Sequence, residues 1–85
     1  MEYKLIDAVD RKTHQKTQKK YIGKTGTIVE SIPVLIFMAS EGDGTGFITS
    51  EVIDETHNKN KYIVKTVNST YTFENLEEWE VSVEV

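Results

Sequence analysis

From Trp79 to the end of the chain, apolar and polar residues alternate without a break, with Trp79, Val81, Val83 and Val85 set against Glu80, Ser82 and Glu84. Successive side chains of an extended strand point to opposite faces, so this period of two gathers every apolar group on one side of a half-buried strand. A helix would scatter them around its circumference. Upstream segments follow the same logic. Tyr62 to Val67 and Tyr71 to Leu76 are rich in aromatic and β-branched residues, and Asn68-Ser69-Thr70 between them supplies turn chemistry, which predicts a hairpin. Phe47 to Ile53 is a shorter strand, and the polar stretch Asp54 to Lys61 reads as the turn that follows it. The continuous apolar run Ile32 to Ala39, with Pro33 near its start, predicts a central strand buried on both faces. Tyr21 to Glu30 reads as a tight glycine turn feeding a strand, and Met1 to Val9 as the first strand of the chain.

Strands recurring at intervals of roughly ten residues point to a small barrel or sandwich, with helical spacing nowhere sustained. The 85 residues hold one domain, 1–85. A chain this short buries only about 60–65% of its unfolded surface, and without a single cysteine it has no disulfide to add stability, so association with a second copy is a natural supplement. No run of 18 apolar residues occurs, and Met1-Glu2-Tyr3-Lys4 opens no leader pattern. The expected location is cytoplasmic, with no membrane partner.

Charge is distributed unevenly. Between Arg11 and Lys24 stand six basic residues and no acidic one, leaving four basic against fourteen acidic residues, a net of −10, in the rest of the chain. The segment Asp10–Lys20 is expected to be an exposed basic arm or loop. Displayed on one edge, Arg11, Lys12, Lys16, Lys19, Lys20 and Lys24 would neutralise phosphates, and Tyr21 would stack on an unpaired base. The opposing reading is a solvated edge, since lysines on an exposed strand discourage association between sheets. Glu74, Glu77, Glu78, Glu80 and Glu84 form an acidic C-terminal surface suited to a basic protein partner.

Gly23-Lys24-Thr25 is not a phosphate-binding loop, because the first glycine of that motif is missing and a β-branched strand, not a helix, follows. Tyr21, Ile22, Gly23, Lys24, Gly26 and Ile28 instead resemble the KOW-type motif of small SH3-like barrels, in which an apolar residue precedes Gly-Lys-x-Gly-x-Val/Ile. That resemblance implies an SH3-like barrel. The stretches Thr49 to Val52 and Ile63 to Glu74 are similar to small strand-rich proteins of Gram-positive bacteria and their phages, which implies a phage-associated accessory role. Glu41 to Ile48 fails as a calcium loop because Val52 stands where a bidentate Glu is required. His14 and His57 lie in polar segments, no His or Cys spacing suggests zinc, and no Ser, His and Asp spacing suggests a triad. The expectation is therefore an all-β fold, a small antiparallel SH3-like barrel of five to six strands, with a two-sheet sandwich or OB-type barrel as alternatives. The expected function is a non-catalytic module, not an enzyme and without a cofactor, that binds protein, with nucleic-acid binding through Arg11 to Lys24 as the alternative.

Overall fold

In a computed structural model of the chain, which describes residues 2–40 and 45–76, seven strands form one antiparallel sheet. They are β1 (Glu2–Asp10), β2 (Thr25–Ser31), β3 (Val34–Ala39), β4 (Gly46–Ile48), β5 (Val52–Asn58), β6 (Lys61–Thr66) and β7 (Ser69–Asn75), joined in the order β4-β3-β2-β1-β7-β6-β5. Alternation produces the core directly. Leu35 and Phe37 on β3, Val64 on β6, and Tyr71 and Phe73 on β7 are buried, while the residues between them turn outward.

The sheet is curled. Phe37 and Phe73 have ring centroids 5.5 Å apart, although β2 and β1 lie between their strands. Three strand spacings in a flat sheet would separate them by about 14 Å. Phe47 and Tyr71, one strand further apart, also meet at 5.4 Å. Burying these rings drives the curvature, and register shifts at Leu5/Asp7 and Val52/Asp54 help the strands to bend. Tyr21 closes one end from a single 3-10 turn, Lys19–Tyr21, with its ring 5.4 Å from Phe47 and its hydroxyl 2.9 Å from Thr45 Oγ1.

The hydrogen-bonded ladder does not close on itself. Its two terminal strands, β4 and β5, follow one another in the chain and are joined by the corner 49–51. Thr49 keeps that corner against β3. Its amide donates to Leu35 O at 2.9 Å, and its hydroxyl accepts from the Leu35 amide at 3.0 Å. The Val52 amide then donates to Pro33 O at 2.9 Å.

Several expectations need correction. There are seven strands among the described residues, where five to six were expected, and the sheet is open where a closed barrel was expected. Asp54–Lys61 is not merely a turn: β5 continues to Asn58, and the turn is confined to 59–60, where Lys59 takes φ 59. The reason is that β5 is an edge strand exposed along most of its length, so it carries no apolar period. Nor is β3 buried on both faces. Its burial alternates because only its inner face meets the core. The Trp79 to Val85 alternation and the glycines at 42 and 44 lie outside the described residues.

Candidate functional site

The curl brings β2 opposite β5 without pairing them, and two adjoining clefts fill the space between. One, of about 340 Å³, is lined by Tyr3, Thr27, Ile28, Glu30, His57 and Tyr62. The other, of about 320 Å³, runs on past Glu30 to Pro33, Leu35, Glu51, Val52 and Glu55. Pairing register explains the lining: Glu55 stands opposite Val64 and His57 opposite Tyr62, so both share the inward face of the β5–β6 hairpin. On β2, Ile28 and Glu30 stand opposite Phe37 and Leu35 and face the same interior.

Tyr62 is the hub. Its hydroxyl donates to Glu55 Oε1 at 2.9 Å and lies 3.3 Å from Glu30 Oε2, so one phenolic proton is shared between carboxylates on opposite walls. His57 stacks on the ring at 4.4 Å and 12°, and Tyr3 packs beside it at 5.8 Å. Burial pushes the phenol well above its ordinary pKa, and Glu55 and Glu30 push it further, because a phenolate there would face two negative groups. The hydroxyl is thus held as a neutral donor. Glu30, Glu51 and Glu55 give the groove a negative wall, and among the described residues no Lys or Arg lines either cleft. A cationic side chain with an apolar stem fits this combination, with its charge toward the carboxylates and its methylenes on the aromatic rings. β5 adds a second means of attachment, since its outer edge meets no further strand among the described residues.

The basic segment forms an ordered loop packed back on the sheet. Asp10 accepts the amides of Lys12 at 2.8 Å and Thr13 at 2.9 Å, which holds its carboxyl below the usual carboxylate range. Val9 bridges Lys16, and the Thr17 amide donates to Ala8 O. Two of the six cations make hydrogen bonds or ion pairs: Arg11 donates to Thr66 O at 2.9 Å and Val67 O at 3.2 Å, and Lys16 pairs with Asp7. Lys12, Lys19 and Lys24 are exposed, and the Lys20 ammonium lies 5.3 Å from the Tyr21 ring centroid. Tyr21 itself is 6% exposed and packed on Phe37 and Phe47. This corrects its expected role, because a ring inside the core cannot stack on a base.

Of the acidic group, Glu74 lies on the outward face of β7, where it stands opposite Lys4 and Lys61 and accepts from Asn60 Nδ2 at 3.1 Å. Glu77, Glu78, Glu80 and Glu84 lie outside the described residues. Sequence reading did not single out Tyr3, Glu30, Glu55 or Tyr62 as a site. Its one usable signal was the apolar alternation of β6, which turns Tyr62 to the same side as Val64.

No family model, no curated protein and no solved structure matches this chain.

Proposed function

We propose that the protein is a non-catalytic binding module whose ligand is an extended, basic segment of another protein, taken up as a strand along β5 with a cationic side chain in the groove. The observation that carries this reading is the coincidence of the β5 edge, which beyond Val52 meets no further strand among the described residues, with a groove walled by Glu30, Glu51 and Glu55 around Tyr62. Strand addition supplies main-chain hydrogen bonds, and the groove supplies the preference for a basic side chain. In this reading the fold is an SH3-like barrel left open at the groove, and the ligand strand stands where closure would occur. The loop 10–20 then serves as a solvated edge. Lysines support a nucleic-acid role, but the burial of Tyr21 removes its stacking platform.

The test is an NMR titration with a synthetic peptide of alternating Lys and Val, and a Glu and Val peptide as control. Amide shifts are expected along Val52–Asn58 and at Tyr62. Two exposed ion pairs of up to about 1 kcal/mol each amount together to a loss in affinity of up to about thirtyfold when Glu30→Gln and Glu55→Gln are combined. Equal binding of both peptides would refute the proposal. So would shifts confined to 11–24 together with salt-sensitive binding of oligothymidylate lost on replacing Lys16, Lys19 and Lys20 by Gln.

A further inference from the structure

Strand register decides which side chains a strand added to β5 would have as neighbours. Cross-strand partners on one face of a sheet stand side by side, and one row of them runs Leu5–Phe73–Tyr62–His57 across β1, β7, β6 and β5. Its last three members are rings in contact. Phe73 and Tyr62 have centroids 6.1 Å apart, and Tyr62 and His57 lie 4.4 Å apart with only 12° between their planes. Leu5, Phe73 and Tyr62 are buried, and His57 is exposed. One face of the imidazole lies on Tyr62. The other looks along the row, over the first cleft, to the place where an added strand sets its own side chain.

We infer that the ligand strand carries an aromatic residue across from His57, which continues the row of rings, and its basic residue two positions away, beside Glu55. The inference rests on the proposed addition of a strand to β5. Glu55 and His57 share the inward face of β5, and an added strand running in either direction sets one inward side chain beside each of them. Those two ligand residues are therefore two apart in sequence. The clefts differ in what they offer. The one at His57 has three rings, Tyr3, His57 and Tyr62, and a single carboxylate, Glu30, whereas the one at Glu55 has three carboxylates, Glu30, Glu51 and Glu55. A flat ring gains most at the first position, where it stacks on an exposed imidazole already held parallel to Tyr62. A cation gains most at the second, as the cross-strand partner of a carboxylate. Arginine is the competing occupant beside His57, since a guanidinium also stacks on rings. It would find only Glu30 there, whose Oε2 is 3.3 Å from the Tyr62 hydroxyl.

The experiment titrates the full chain with the alternating Lys and Val peptide and with three versions of it in which one central Lys is replaced by Phe, Leu or Arg, followed by NMR. The Phe peptide should bind about two- to tenfold more tightly than the Leu peptide, the margin that ring stacking adds to burial. It should also move the His57 ring protons upfield, as a ring lying over them does, and the Leu peptide should not. His57→Ala should bring the two affinities together. His57→Thr, a better strand former, should do the same and serves if His57→Ala loosens the edge. His57→Phe keeps a ring and should preserve the ratio. Three results would overturn the inference: equal binding of the Phe and Leu peptides, a ratio that survives both His57→Ala and His57→Thr, or tighter binding of the Arg peptide than of the Phe peptide. Any of these with the parent peptide still bound along β5 leaves the strand-addition reading standing. If none of the four peptides binds, that reading falls and the aromatic position falls with it.

Discussion

Replacing Phe37 and Phe73, singly and together, tests the curl on which the groove depends. The rings touch at 5.5 Å across three strand spacings, and both are fully buried. Alanine is too severe a substitution. It costs about 3–5 kcal/mol at such sites, and a chain of 85 residues has a total stability of only about 4–13 kcal/mol. Leucine keeps most of the volume, so Phe37→Leu and Phe73→Leu should each cost about 1–1.5 kcal/mol. In contact, the two rings share a tilted aromatic interaction, 38° between their planes, that either substitution removes. The double variant should therefore be more stable than the sum of the single losses implies, by about 0.5–1.5 kcal/mol. Urea unfolding measures this, provided that the slopes of the four proteins agree, because a slope change would signal an altered unfolded state. In a flat sheet the rings would be about 14 Å apart and the effects would add to within about 0.3–0.5 kcal/mol. Additivity of that quality would refute the curl, and with it the groove between β2 and β5.

The close approach of β3 and β4 makes Gly46 intolerant of a side chain. A Cβ there would stand 2.0 Å from Phe37 O, so Gly46→Ala should force the strands apart, cost about 1–3 kcal/mol and speed amide exchange at Ala39 and Thr49. An unchanged melting temperature would contradict that geometry. Asp10 should contribute to acid sensitivity. Its folded pKa is lowered by the amides of Thr13 and Lys12, so its contribution is present above the unfolded value of 3.8 and disappears as pH falls through the lower folded value. In Asp10→Asn the fall in melting temperature below about pH 4 should be shallower. Identical acid limbs for the two proteins would show that the loop contributes nothing there.

The elements legible in the sequence are those with one face in the core. In β7, Tyr71 and Phe73 alternate with Thr72 and Glu74, and burial follows that alternation residue by residue. The β6–β7 hairpin is legible for the same reason, reinforced by its turn residues. β5 is not, because Asp54, Glu55, Thr56 and His57 are all exposed and an edge strand is held by main-chain bonds to β6, which leave no trace in side-chain type. The apolar run in β3 was misleading in the opposite sense. Val34, Ile36 and Met38 are apolar although they face outward, and a hydrophobic run does not reveal which of its sides is covered.

Local alternation and turn chemistry alone determine that the chain is built from strands and which residues of each can face a core. Those properties act over a few residues and depend on side-chain direction along one strand. Strand order, curvature and the groove depend on contacts between residues remote in the chain. Tyr3, Glu30, Glu55 and Tyr62 come together only because burying Phe37 against Phe73 bends the sheet and carries β2 over toward β5. No spacing in the chain encodes that meeting, since it follows from the shape that lets all the aromatic rings leave water at once.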